Sequence, residues 1–91
     1  MNRVDMVGRI KEVITTDDKL TYILLLEVTR PFMQPDGQYI DDVFSVTIWC
    51  GLAERIKVNL QIGHLISISG RLQQTENYNA TIIAEHCTIL N

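Results

Sequence analysis

The sequence predicts an all-β fold, a barrel of five strands with one short helix between the third and fourth strands. Apolar and polar residues alternate along five segments, as they do in strands that are buried on one face. A sixth, shorter segment repeats its apolar residues every four positions, which is the pattern of an amphipathic helix. The 91 residues suit one domain over 1–91, and their 46% of hydrophobic residues is enough for one core.

The first two strands are predicted from their alternation. Gly8 falls within strand one, where a glycine usually marks a bulge or a sharp bend. A turn is expected at residues 15–19, and the even-numbered residues from Leu20 to Val28 then form the apolar face of strand two. The residues expected on the inner face of strand one are Val4, Met6, Ile10 and Ile14.

The segment 31–37 contains two prolines and a Pro-Asp-Gly triplet, so it is expected to be a long loop with a tight turn. A third strand is predicted from about Asp42 to Cys50. Its alternation places one set of side chains inside and another outside. The inner set is Phe44, Val46 and Ile48, and the outer set is Val43, Ser45, Thr47 and Trp49.

The helix is predicted from Leu52, Ile56 and Leu60, with Gly63 placed to end it. Strand four follows from His64 to Gln73, and a polar turn precedes strand five at 81–90, which has no cleanly polar face. Five strands that close on themselves, with a helix plugging one end, make the Greek-key barrel called the OB-fold. The inner residues of strand four are expected to be Ile66, Ile68 and Leu72, and its outer residues Ser67, Ser69 and Arg71.

Composition and motifs narrow the function. The net charge of −3 argues against a strongly basic nucleic-acid-binding surface. Whether the chain can bind nucleic acid therefore depends on where its eight Lys and Arg residues lie. No His, Cys, Asp or Glu cluster has metal-ligand spacing, and no phosphate loop or nucleophile motif occurs, so we expect no enzyme and no cofactor. Two separate cysteines and the absence of a signal peptide predict a reducing, cytoplasmic location.

Five segments together resemble bacterial single-stranded DNA-binding proteins, and they cover almost the whole chain in the right order. They are MNRVDMVGRI, VTRPFMQPDGQYIDD, FSVTIWCGLAERI, ISISGRLQ and TIIAEHCTIL. The resemblance implies an OB-fold that binds single-stranded DNA with little sequence preference, in replication, recombination or repair. The family's flexible tail with an acidic, Phe-ending tip is missing here, so a short form is expected.

In this family, bases stack on aromatic side chains while Lys and Arg follow the phosphates. The resemblance therefore implies a set of stacking residues, which are Trp49, Phe32 and Tyr78. It also implies a set of phosphate-binding residues, which are Arg3, Arg9, Lys11 and Arg71. Each residue has a plainer interpretation as well. Trp49 suits an oligomer interface, Phe32 a loop anchor folded back on the barrel, Tyr78 ordinary hairpin packing, and the cations a solvated face.

The sequence departs from the family in three places that bear on function, one of which is Cys50-Gly51, where the family has basic residues after strand three. Val43 stands where the family often has an aromatic residue, and the turn at 74–77 is polar where the family's is basic. These departures keep two alternatives open. One is an accessory OB-fold protein like primosomal replication protein N, and the other is a protein-interaction module that has lost DNA binding. Ile23 and Leu25 on the outer face of strand two predict a homo-oligomer, either a dimer or a tetramer.

Overall fold

The computed structural model describes residues 1–16, 21–49, 51 and 60–90. Its strands close into a barrel in the order β1-β2-β3-β5-β4, with β3 and β5 parallel and every other pair antiparallel. This confirms the five-stranded OB-fold barrel. The elements are β1 (Val4–Thr15), β2 (Thr21–Met33), β3 (Tyr39–Trp49), β4 (Leu65–Gln74), a 3₁₀ turn (Glu76–Tyr78) and β5 (Ala80–Ile89).

The helix predicted from Leu52 to Leu60 lies outside the described residues, apart from Leu60 itself. Gly63, placed to end it, has a φ of 96°, which a glycine adopts at no steric cost. Among the residues that the structure describes, no helix has the length and apolar character needed to span a bilayer.

The core fills the barrel from all five strands. The alternation predicted most of this core, since the inner positions of β2, β3 and β4 contain most of its largest buried side chains. The expectation that Phe44 faces the core is wrong, because it lies before the point where β3 pairs with β5 and is 38% exposed. The cluster of buried residues is Ile10, Leu24, Leu26, Val46, Ile48, Ile66, Ile68, Ile82 and Ala84. Burying each Leu, Ile or Val side chain stabilises the fold by about 1.5–3 kcal/mol, so this cluster is the main favourable contribution to folding.

A bulge in β1 changes which residues face the core. Ile10 pairs with Leu26 of β2, but the next pair joins Glu12 to Leu25, so Lys11 is the extra residue. The alternation therefore shifts by one position after the bulge. Val13 packs against the core, whereas the expectation that Ile14 faces inward is wrong, because its side chain is 37% exposed.

Gly8 has a different role from the bulge or bend that we expected. It is buried where β1 passes close to β2, and a Cβ at this position would lie 3.0 Å from the carbonyl oxygen of Glu27. A second close approach involves Gly70 of β4, where a Cβ would lie 2.0 Å from the carbonyl oxygen of Ile83. There the pairing with β5 skips Glu85, so this bulge brings the two backbones together.

Leu72 was predicted to face the core, and this prediction is wrong. The pairing of β1 with β4 begins at Val4 and Gly70, so Leu72 lies beyond the end of β1 and is exposed. Its backbone is instead paired by the Asn2 side chain. Asn2 Nδ2 donates to the Leu72 carbonyl at 2.7 Å, and Asn2 Oδ1 accepts from the Leu72 N–H at 2.9 Å.

The loop predicted at 31–37 is mostly a hairpin. β2 continues to Met33 and β3 begins at Tyr39, three residues before the predicted start. Only the turn between them was correct: Gln34 N–H donates to the Gln38 carbonyl at 2.7 Å, and Gly37 has a φ of 85°. Pro31 lies where the pairing is interrupted, so its missing N–H leaves no ladder bond broken. We call residues 29–42 the arm.

Candidate nucleic-acid interface

Trp49 ends β3 on the outside of the barrel. It pairs with Thr21, the first residue of β2, and follows the fully buried Ile48, so its side chain points away from the core. Its side chain is 56% exposed. The outward orientation expected from the alternation is confirmed, and the indole face is available to a planar partner.

Phe32 lies on the arm, near the end of β2. Its side chain is 77% exposed, so the interpretation of a loop anchor folded back on the barrel is wrong. It stands eleven residues from Thr21, the partner of Trp49, which is about 35 Å along a strand. Phe32 and Trp49 therefore lie at opposite ends of the β2–β3 hairpin and cannot stack on the same base.

Tyr78 ends the 3₁₀ turn between β4 and β5, and its side chain is 91% exposed. The backbone there is left-handed at two successive residues, with φ of 58° at Asn77 and 65° at Tyr78. Such a conformation is unusual for a bulky side chain. Because β5 runs parallel to β3, this turn lies at the same end of the barrel as the arm. Tyr78 and Phe32 thus share one end, and Trp49 occupies the other.

The four cations predicted to bind phosphate lie on β1, on β4 and just before β1, not among the aromatic residues. Two of them are ion-paired: Arg3 Nε donates to Asp5 at 2.8 Å, and Lys11 Nζ lies 3.8 Å from Glu27. Hydrogen bonding with Arg3 lowers the pKa of the Asp5 carboxyl. The other two bind neutral acceptors, the Gly63 carbonyl for Arg9 at 2.6 Å and the Gln73 side chain for Arg71 at 2.8 Å.

The predicted site is therefore divided. The described strands place the aromatic residues along β2, β3 and the β4–β5 turn, and the predicted cations along the neighbouring β1 and β4. Near the β4–β5 turn the two groups come closest. The pairing of Val4 with Gly70 and of Asn2 with Leu72 sets Arg3 across from Arg71 at this end.

Sequence reasoning missed Arg30, which lies on the arm two residues before Phe32. Arg30 Nε and Nη2 each donate to a different oxygen of Asp42, both at 2.9 Å. Tyr39, also exposed, pairs with Met33 beside Phe32. The signal that could have found Arg30 is its position in the VTRPF segment, directly before the proline and phenylalanine that carried the family resemblance.

Within the described residues, no group of three or more His, Cys, Asp or Glu could hold a metal ion. Cys87 is half-buried, and its burial raises the pKa of the thiol to about 11. A thiol with this pKa stays protonated at neutral pH and is a poor nucleophile. Cys50 lies outside the described residues.

No protein-family model matches the chain. Curated relatives do match: it is 35% identical over 86 residues to Single-stranded DNA-binding protein 3 of Listeria innocua, covering 86% of this chain and 51% of that protein. It is 33% identical over 85 residues to Single-stranded DNA-binding protein B of Bacillus subtilis, covering 85% of this chain and 71% of that one. The chain thus spans about half the length of several relatives that it matches.

Solved structures share the fold. A small single-stranded DNA-binding protein from Mycoplasma pneumoniae superposes with a TM-score of 0.74 at 22% identity, over 100% of this chain and 93% of that one. The dimeric N-terminal domain of PriB protein from Thermoanaerobacter tencongensis gives 0.71 at 22% identity, over 99% and 97%. At these identities the structures support the barrel, while the curated relatives carry the family assignment. With a third of its residues identical to a relative of which it covers most of the length, on this closed five-stranded barrel, the chain belongs to the bacterial single-stranded DNA-binding protein family.

Proposed function

We propose that this chain binds single-stranded DNA with little sequence preference and has no catalytic activity. Bases stack on Trp49, Phe32 and Tyr78, while Arg3, Arg9, Lys11 and Arg71 contact phosphates. The observation that carries the proposal is the exposure of the three aromatic side chains, at 56%, 77% and 91%. A single domain that leaves such rings in water gains nothing from them in folding, whereas a single strand offers planar bases to cover them.

The layout favours a strand that crosses the barrel from the end that holds Trp49 to the end that holds Phe32 and Tyr78, past the cations of β1 and β4. Trp49 and Phe32 mark its two ends, about 35 Å apart, so each ring takes a different base. Stacking contributes about 1–3 kcal/mol per base and accepts any base, which explains binding without sequence preference. Because Trp49 and Phe32 are far apart, the nucleotides between them are held through their phosphates, by the cations of β1 and β4.

We also propose a homo-oligomer, a dimer or a tetramer, in the cytoplasm. Ile23 and Leu25 occupy the outer face of β2, where polar residues would be expected on a solitary barrel, and Val7 and Ile14 of β1 are exposed. Apolar residues on the outside of a barrel usually mark an interface. The PriB domain that shares this fold is described as dimeric, which is consistent with an assembly of this kind.

The accessory-protein alternative has one observation in its favour. Two of the four expected phosphate-binding cations are already paired with carboxylates, and a chain with few available cations suits a protein that binds DNA weakly and other proteins as well. In that case DNA replication or recombination proteins would be its partners. The same observation suits a module that binds protein only.

The test is a titration with fluorescently labelled poly-dT, followed by anisotropy, at low salt. Trp49→Ala is expected to weaken binding by about 1–3 kcal/mol, which is about five- to 150-fold, because one base loses its stacking partner. Phe32→Ala is expected to weaken binding for the same reason. Phe32→Leu is its matched control, since leucine keeps an apolar side chain of similar size and removes only the aromatic ring.

Circular dichroism first establishes that each variant keeps the barrel. Folded Trp49→Ala protein with parental affinity would contradict stacking at this residue. A parent protein with no measurable affinity for poly-dT at low salt would contradict the proposed function and leave the protein-interaction alternative.

A further inference from the structure

Among the described residues, Arg30 is the one cation on the same strand as an expected stacking residue, Phe32. Its partner is Asp42. The Arg30 guanidinium binds both oxygens of this carboxylate at 2.9 Å, and the two side chains are 50% and 36% exposed. Bidentate pairing fixes both side chains better than a single bond does. The hydrogen bond from Arg30 also lowers the pKa of Asp42, so the carboxylate stays charged at neutral pH.

We propose that Asp42 is a built-in competitor of the DNA phosphates for Arg30, and that it lowers the affinity of this chain for single-stranded DNA. This inference rests on the proposed function and assigns roles to two residues of the same surface. A base stacked on Phe32 brings its phosphates to the arm, and Arg30 stands two residues from that ring. Arg30 is therefore placed to contact the backbone of the stacked nucleotide.

A guanidinium binds carboxylate and phosphate with the same fork of N–H donors. While Asp42 occupies Nε and Nη2, a phosphate cannot take that fork. Binding of DNA through Arg30 must replace the Asp42 carboxylate by a phosphate, so the net gain in binding free energy is small. The displaced Asp42 carboxylate then remains close to the phosphate and repels it, so the exchange is further disfavoured.

The same pairing recurs elsewhere on the surface. Among the five described cations, Arg3 and Lys11 are also paired with carboxylates, Asp5 and Glu27. Arg30 is the best case for a test because its pair lies on the arm, outside the barrel, where a substitution does not disturb the core. The neighbouring Asp41 provides the control, because it accepts from the Thr29 hydroxyl and belongs to no ion pair among the described residues.

The experiment measures the affinity of the full chain for poly-dT by anisotropy, at several salt concentrations. Asp42→Asn is expected to bind about two- to fivefold more tightly at low salt, as follows from the strength of an exposed ion pair. Its slope of log affinity against log salt is expected to steepen by about 0.7, because one more phosphate is neutralised. Asp41→Asn removes the same charge from the same arm and is expected to change neither quantity appreciably.

The Arg30→Gln background separates release of Arg30 from a general charge effect. In this background Asp42→Asn is expected to have no effect. Equal tightening by Asp41→Asn and Asp42→Asn, or an Asp42→Asn effect that persists without Arg30, would overturn the inference, as would unchanged affinity of Asp42→Asn. If that variant loses the fold by circular dichroism, Asp42→Ser takes its place with the same expectation.

The result also distinguishes this inference from the proposed function. A parent protein that binds poly-dT, with a folded Asp42→Asn variant of equal affinity, would overturn the role of Asp42 and leave DNA binding intact. Absence of binding by the parent and by both Asp42 variants would overturn the two together. Binding by Asp42→Asn where the parent shows none would support the competitor role in its strongest form.

Discussion

Raising the salt concentration from about 50 to about 200 mM is expected to weaken binding of single-stranded DNA by about seven- to fiftyfold per protomer. Each phosphate neutralised in a single strand adds about 0.7 to the slope of log affinity against log salt. Arg9 and Arg71 bind only neutral groups, so these two alone give a slope near 1.4. If Arg3 and Lys11 also exchange their carboxylates for phosphates, the slope rises to about 2.8.

The assay follows quenching of Trp49, the only tryptophan of the chain, as poly-dT is added at a series of salt concentrations. Duplex DNA of equal length is the control, because its paired bases cannot stack on Trp49 or Phe32 and it should bind far more weakly. A slope of about 4 or more per protomer would refute the count, since it needs about six engaged cations. Equal affinity for duplex and single strand would show that charge, and not stacking, drives association.

Three further outcomes test the fold and the assembly. Gly70→Ala is expected to lower the free energy of unfolding by about 2–4 kcal/mol, because the new Cβ would lie 2.0 Å from the Ile83 carbonyl oxygen. Thermal circular dichroism should then show a fall in Tm of at least about 8 °C. Gly8→Ala is the control and should lower the stability less, because its closest contact is 3.0 Å. In a Cys50→Ser background, Cys87 is expected to react slowly with iodoacetamide at pH 8. Because its pKa is raised to about 11, the stability contributed by the neutral thiol is complete below about pH 9 and is lost as the pH rises toward 11; rapid alkylation of folded protein would contradict the burial. Sedimentation at tens of micromolar should show a dimer or tetramer that Leu25→Glu dissociates, and a parent protein that is entirely monomeric there would rule out the proposed assembly.

Alternation was a good guide for the regular strand segments inside the barrel, although it failed at Phe44, which is 38% exposed. It correctly placed Leu24, Leu26, Val46 and Ile48 in the core, because one face of each strand has a single environment. It failed at Ile14, since one extra residue in β1 reverses the two faces and the extra Lys11 carries no sequence signal of its own.

The errors near the arm and at the rim have a different origin. Pro31 favours a loop in isolation, but beyond the barrel a strand can continue past it without losing a ladder bond. Leu72 has the right parity for burial and lacks a neighbouring strand on one side. In both cases the outcome depends on where the partner strand ends, which local patterns do not encode.

The candidate site was predictable in its residue types and not in its arrangement. The family resemblance directed attention to Trp49, Phe32 and Tyr78, and all three prove exposed. The separation of aromatic residues from cations follows from strand order around the closed barrel. The pairing of Arg30 with Asp42 joins residues twelve positions apart, which only the register of β2 and β3 brings together.

The way β1 is held has a consequence for synthesis on the ribosome. Its second half pairs with β2, which follows directly, whereas its first half pairs with β4, and Asn2 bonds to a residue 70 positions later. Because the ribosome makes the chain from its N-terminus, the β1–β2–β3 meander emerges first, with its two edge strands unpaired. The contacts of β1 with β4 join distant parts of the chain and form slowly. The barrel closes only when β4 and β5 have left the exit tunnel. Until then the nascent chain presents unpaired strand edges, and it is at this stage that a chaperone would have most to protect.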